Sequence, residues 1–233
     1  MQAVNTIRTY FNTVFSNWSV ALQQKNFRNQ FFVTMLSYVF LFKYCRMVMT
    51  IFENRKGTQI FDKFLAMLPP VDSSNVIFIL TYTTLTVFIF STVINPERFL
   101  KAMQAYCLLM VMRTITIYLV PLEPPIGMIL LKDTISNFFM SGKEGSYVVK
   151  DLFFSGHVST AMLFFIISEN KRVKYLLLTL SISIASLILL QHVHYLMDVV
   201  AAPFFSLLAY TLIRLAHKDL QLPAVSKGMK HNR

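Results

Sequence analysis

The stretch Tyr175-Leu-Leu-Leu-Thr-Leu-Ser-Ile-Ser-Ile-Ala-Ser-Leu-Ile-Leu-Leu-Gln191 carries no charge and runs straight into His192-Val-His-Tyr-Leu-Met-Asp198. As a helix rising about 1.5 Å per residue, it suits the roughly 30 Å hydrocarbon core of a membrane. Similar windows recur on both sides of it, and six spans are expected, at 31–52, 76–94, 99–120, 152–168, 175–191 and 195–215. Composition agrees, with 55% hydrophobic residues, 22 Phe and 13 Met against 14% charged. A soluble domain carries nearer a quarter charged, and no polar stretch is long enough to bury a second core. The expected fold is all-α, a polytopic membrane protein with a six-helix bundle at 31–216.

Upstream of the spans, Val4, Ile7, Phe11, Val14, Phe15, Trp18 and Ala21 recur at helical spacing, with Asn5, Thr9, Asn12, Ser16 and Asn17 opposite. That pattern predicts an amphipathic interfacial helix within 1–30. The first thirty residues lack the continuous apolar core of a cleavable leader. Residues 217–233 read as a basic cytoplasmic tail.

The formal charge of +11 invites a nucleic-acid reading, but the cations sit in short connections and at the termini. Arg8, Lys25, Arg28, Arg98, Lys101, Lys171, Arg172, Lys174, Arg214, Lys218, Lys227, Lys230 and Arg233 fall on one side of the expected topology. Arg55, Lys56, Lys63, Lys132, Lys143 and Lys150 fall on the other. By the positive-inside rule both termini are cytoplasmic, and the long connections 53–75 and 121–151 face periplasm or lumen. The latter connection is expected to re-enter the membrane at 126–131. Cys45 and Cys107 lie in expected spans and read as free buried thiols.

Ionisable groups inside such apolar sequence are costly and mark functional sites. His194 and Asp198 are four apart, one helical turn, so a carboxylate can hold the imidazole in one tautomer. His157 stands beside Ser155 and Gly156, and topology brings all of these to the outward face together with Arg113, Tyr118 and Asp151. Two histidines and a carboxylate suit covalent phosphoryl chemistry. His194 would attack phosphorus with Asp198 stabilising the imidazolium, and His157 would serve as acid and then base. Gly156 beside His157 suggests close approach of a ligand, or else a helix-packing contact. His192, His194 and Asp198 could also ligate a metal, but His192 and His194 converge on one ion only if the helix breaks. No metal site is expected.

Asp151-Leu-Phe-Phe-Ser155-Gly156-His157 and His194-Tyr195-x-x-Asp198-Val199-Val200 resemble two signature blocks of the sphingomyelin synthase family, within the type 2 phosphatidic acid phosphatase superfamily. Arg113-x-x-Thr116-x-Tyr118 with Leu122-x-x-Pro125 resembles another, and Leu68-Pro69-Pro70-Val71-Asp72 loosely a fourth. The resemblance covers about 62–214. It implies that His157, His194 and Asp198 form a catalytic triad. It also implies transfer of a phospho-headgroup from a glycerophospholipid to ceramide, releasing diacylglycerol without metal or organic cofactor. Val149, Lys150, Val158 and Glu123 depart from the family pattern and imply a distant relative of bacterial type, with headgroup and acceptor open.

The superfamily's phosphatases carry a Ser-Arg pair where this chain has Leu187 and Ile188, and no Lys…Arg-Pro block precedes Ser155. A phosphomonoester, approaching two negative charges, needs a cluster of cationic donors. Arg113, with Lys150, could neutralise the single charge of a diester, although Arg113 could instead pair with Glu123 or Asp198. Asp151 could cap the fourth span. Glu123 and Asp72 could meet a cationic headgroup, and Tyr195 could line the lipid entrance or join an aromatic belt.

The reading is thus a lipid phosphotransferase with phospholipid and lipid-alcohol substrates and no nucleic-acid partner; self-association is left open. Its substrate-contacting residues are Arg113, Tyr118, Glu123, Lys150, Asp151, Ser155, Gly156 and Tyr195. The alternatives are a hydrolase using water at the same site and a transporter with relaying histidines. The transporter predicts a polar trail across the bundle, for which only Lys43 and Arg46 offer themselves.

Overall fold

The computed structural model describes residues 2–132 and 149–219. The expectations placed on Lys143, Lys227, Lys230, Arg233 and most of the tail lie outside the described residues, as do the side chains of Arg46 and Lys218. Seven α-helices and no strand occur among the described residues: α1 (Gln2–Gln23), α2 (Lys25–Glu53), α3 (Ser74–Thr92), α4 (Pro96–Leu119), α5 (Gly156–Ile167), α6 (Lys171–Leu190) and α7 (Leu196–Asp219). Five of them, α2, α3, α4, α6 and α7, are long and apolar enough to cross a membrane.

Helix ends follow from local chemistry. Asn95 caps α4, accepting from the Arg98 amide at 3.1 Å, with Pro96 in the first turn. Asn170 does the same for α6, accepting from Arg172 and Val173. Helix α1 is separated from α2 by the extended Gln24. It packs on α2 and α4, and its Asn17 and Trp18 side chains donate to the carbonyls of Ile94 and Val93 at 2.8 Å. Ile7, Phe11 and Phe15 of the predicted apolar stripe stay exposed, whereas Ala21 is buried.

Helix α5 is shorter than the span expected at 152–168. Its 12 residues reach only about 18 Å, because 151–155 is irregular backbone whose polar groups are satisfied from neighbouring elements. Arg113 Nε donates to the Phe154 carbonyl at 3.0 Å, and the Ser155 amide donates to the Asp198 carbonyl at 3.2 Å. That is the condition for irregular chain inside an apolar bundle. Nor does a helix form at 126–131; this segment is tied to the end of α6 by the Ile129 amide donating to Gln191 O at 3.1 Å.

The core centres on α5, which packs on α6, α7, α3 and α4. Phe164 stacks on Phe88 of α3 with ring centroids 4.0 Å apart. Small residues let α7 approach closely: Ala202 and Ala209 are fully buried, and between them the Ser206 hydroxyl reaches the Ser159 carbonyl at 2.7 Å. The chain therefore meets its packing need with Ala and Ser rather than with glycine motifs.

Candidate active site

Four irregular segments, 54–73, 121–132, 149–155 and 191–195, gather at the end of the bundle where α2, α4 and α6 finish and α3, α5 and α7 begin. The segments lie far apart in sequence, and side chains tie them together. Gln191, fully buried, donates from its amide to Ser74 Oγ at 2.8 Å and accepts from the Ser73 amide at 3.0 Å. The Thr58 amide donates to the Pro121 carbonyl and the Glu123 amide to the Thr58 carbonyl, with Gly57 lying so near Leu122 that an added Cβ would stand 2.6 Å from the carbonyl carbon. Only glycine fits there.

His192 and His194 fall where the chain turns from α6 into α7. His192 adopts a left-handed φ of 56°, uncommon outside glycine, and its ring bridges two loops. Nδ1 lies 3.0 Å from the Ile126 carbonyl and Nε2 3.2 Å from that of Leu68. The helix does end ahead of both histidines, at Leu190, yet the His192 nitrogens are directed at these carbonyls. Among the described residues no group of His, Cys, Asp and Glu is arranged around a common point for an ion.

His194 precedes α7, so its pairing with Asp198 crosses a loop–helix junction rather than running along one helical face. Its Nδ1 stands 3.3 Å from Asp198 Oδ2. The same oxygen accepts from the Tyr195 amide at 3.1 Å, the reach-back half of a capping box that anchors a first-turn acid. Asp62, from the 54–73 segment, accepts from the Leu196 amide at 2.8 Å and so satisfies the next free donor of the helix. Asp198 is fully buried, and its Oδ1 has no partner among the described residues; neither has Ser155 Oγ. His194 Nε2 likewise has no hydrogen bond to a described residue.

His157 lies in the first turn of α5, its ring edge-on to Phe78 at 6.0 Å and within electrostatic reach of His194 and Arg113. Arg113 is buried and held on three sides: Nη1 meets Asp151 Oδ1 at 2.7 Å, Nη2 the Asp151 carbonyl at 3.0 Å, and Nε the Phe154 carbonyl. Its partner is Asp151, a pairing absent from the sequence reading. The guanidinium also lies against Gly156, where an added Cβ would stand 2.9 Å from Cζ. The close approach at this glycine is therefore made by an arginine of the same chain.

The remaining expected contacts are distributed around this centre. Lys150 Nζ pairs with Glu123 Oε1 at 2.9 Å and donates to the Arg55 carbonyl. Lys150, with the Gly57 amide, holds the Glu123 carboxyl below the usual carboxylate range. Asp72 is likewise lowered by hydrogen bonds from Ser74. Tyr195 is buried; its hydroxyl donates to the Glu123 carbonyl at 2.9 Å and accepts from the Ile60 amide at 3.3 Å. Tyr118 is exposed on the outside of α4, beside Arg55. Asp62 and Gln191 were missed by the sequence reading. Gln191 carried a signal, a lone amide closing an apolar run, whereas Asp62 carried none.

A cavity of about 580 Å³ opens between α3, α4 and α5. Arg113, Asp151, Gly156 and His157 form its polar end, Phe88, Phe99 and Phe164 its apolar reach, and His194 is not on its wall. Along α4 the lining runs from Phe99 to Arg113, about 21 Å of helix. Such a space suits an apolar chain with its polar end at Arg113 and His157.

The apolar helical bundle, with five helices long and apolar enough to cross a membrane and a long apolar cavity ending at His157, suits an integral membrane protein. Residues 150–215 match the family model described as PAP2 superfamily C-terminal, a window that holds His157, His194 and Asp198. The match supports the type 2 phosphatidic acid phosphatase superfamily, whose members are generally phosphatases or phosphotransferases. No curated protein matches the chain.

Proposed function

We propose that the protein is a six-span membrane phosphotransferase of sphingomyelin synthase type, with α1 at the interface, both termini cytoplasmic and the histidine site facing periplasm or lumen. It moves a phospho-headgroup from a glycerophospholipid to a lipid alcohol. The observation that carries the reading is the His194–Asp198 pair. Asp198 Oδ2 occupies Nδ1, which places the lone pair of a neutral ring on Nε2. Nε2 attacks phosphorus, the bond to the diacylglycerol oxygen breaks, and His157 protonates that oxygen. In the second half, His157 takes the proton of the acceptor hydroxyl, the alkoxide attacks phosphorus, and the P–N bond breaks to restore His194.

Charge favours a diester substrate over a monoester. Arg113 and Lys150 are already paired with Asp151 and Glu123, which leaves little free positive charge for a dianion. In the same reading, Arg113 is the phosphate-side cation and orders 151–155, while the apolar cavity takes a lipid chain. Ser155, whose buried hydroxyl has no partner among the described residues, and Gly156 would adjoin the headgroup.

The test supplies purified protein in liposomes with phosphatidylcholine or phosphatidylethanolamine, with and without ceramide, and follows diacylglycerol and headgroup products. The reading expects ceramide-dependent diacylglycerol release that His194→Ala abolishes. Release that survives the substitution removes His194 as nucleophile. Release indifferent to ceramide indicates a hydrolase, and phosphate release from phosphatidic acid alone a monoesterase.

A further inference from the structure

At the opposite end of the bundle, a second cavity of about 480 Å³ lies between α2, α4 and α7. Gln30, Thr34, Gln104 and His217 give it polar walls, Val33 and Ile213 apolar ones. Nothing in the histidine chemistry uses these residues.

Their hydrogen-bond directions can be assigned atom by atom. Thr34 Oγ1 donates its one proton to the Gln30 carbonyl at 2.7 Å. Towards Gln104 it can then only accept, so the Gln104 amide nitrogen faces it at 3.2 Å. Gln104 Oε1 is thereby turned to His217 Nε2 at 2.5 Å. A carbonyl oxygen only accepts, so Nε2 carries the ring proton and Nδ1 of a neutral ring is a bare acceptor.

His217 is only 8% exposed. Its Nδ1 and the buried Oε1 of Gln30 both lack a hydrogen-bond partner among the described residues. Two desolvated acceptors without a donor are an unusual arrangement, and they specify the missing chemistry. A carboxylate or phosphate brings more acceptors and does not fit. An ammonium group is opposed by Lys101, which acts electrostatically on His217. Hydroxyls fit. The cavity is also lined by the exposed Val33 and Ala216, so an apolar tail can leave along α2 and α7 into the membrane.

We propose that this cleft binds the hydroxyl-bearing head of a neutral lipid, whose hydroxyls donate to His217 Nδ1 and Gln30 Oε1. The inference rests on the membrane reading and is independent of the chemistry at His194.

The test irradiates the full chain in nanodiscs with a diazirine-bearing monoacylglycerol and maps the adducts. Adducts are expected within 30–37, 104–107 and 213–217, reduced about tenfold by excess unlabelled monooleoylglycerol and unaffected by equal oleic acid or dioleoyl phosphatidate. His217→Phe and Gln30→Leu should each weaken these adducts without changing labelling of 78–89 at the first cavity. Gln30, only partly buried, keeps the test valid if the His217 variant does not fold. Equal competition by the anionic lipids overturns the donor requirement. Labelling spread evenly over lipid-facing helices, absent from the three segments, or indifferent to both substitutions overturns the site and leaves a cavity for water alone.

Discussion

At one end of the bundle four irregular segments are laced together by Asp62, Gln191, His192 and Tyr195; at the other, helices are joined by the short turns at 93–95 and 168–170, with Arg98 paired to Glu169 across them. The irregular end buries two histidines only two positions apart, and it holds them differently. His192 has a carbonyl against each nitrogen, whereas His194 is held on one side by a carboxylate and left open on the other. A histidine used for architecture is enclosed on both sides; one used for chemistry needs a free nitrogen and a fixed tautomer. Ordering long loops is entropically costly, and the cost falls where side chains must be positioned rather than where helices merely reverse.

The sharpest way to break this contrast is to truncate each histidine in turn. His194→Ala should lower headgroup transfer by roughly a thousandfold or more while leaving the thermal midpoint close to wild type. His192→Ala should do the reverse, with activity largely kept and stability reduced by about 1–3 kcal/mol as the ring that bridges the two loops is lost. Equal effects on both readouts would erase the distinction. Asp198→Asn tests the same pair through its tautomer: transfer should fall by roughly 100- to 10,000-fold, measured as diacylglycerol release.

A smaller effect is expected from Gly156→Ala, whose Cβ would meet Arg113 at 2.9 Å. Displacing the guanidinium should cost about 1–3 kcal/mol, read as a lower midpoint, and a cavity-enlarging Arg113→Lys in the same chain should recover part of it. Tyr195→Phe removes the hydroxyl between Glu123 and Ile60 and should cost about 1–2 kcal/mol without abolishing transfer.

The smallest concerns pH. The Glu123 carboxyl is lowered by Lys150 and Gly57, so its contribution is complete above the ordinary carboxylate pKa of about 4.3 and is lost as pH falls through the lower folded value. Glu123→Gln should therefore flatten the acid side of a plot of thermal midpoint against pH and leave the neutral plateau's slope unchanged. An acid limb identical in the variant would assign the loss to other carboxylates.

Much of the helical layout is legible in the sequence because hydropathy and length are local properties: the run at 175–190 lies within α6 and Gln191 closes it, and the Asn95-Pro96 and Asn170 caps mark their helices directly. The fourth span was harder. Its apolar pattern over 152–168 does not reveal that 151–155 stays irregular, since that depends on Arg113, some forty positions earlier, supplying donors to its carbonyls. The histidines and Asp198 stood out as expensive groups in apolar sequence, but periodicity placed them along one helix. The capping bond from Tyr195 instead sets Asp198 across a junction from His194.

The sequence by itself determined an apolar, helical chain with a charge bias between its ends and a small set of ionisable residues to watch, because each follows from composition and short-range spacing. Only the tertiary structure decided that Arg113 belongs to Asp151, that Gly156 makes room for it, that Tyr195 is an internal tie, and that His217 and Gln30 bury acceptors with no donor among the described residues. Those are partnerships between donors and acceptors far apart in the chain, and burial away from water is what makes each of them count.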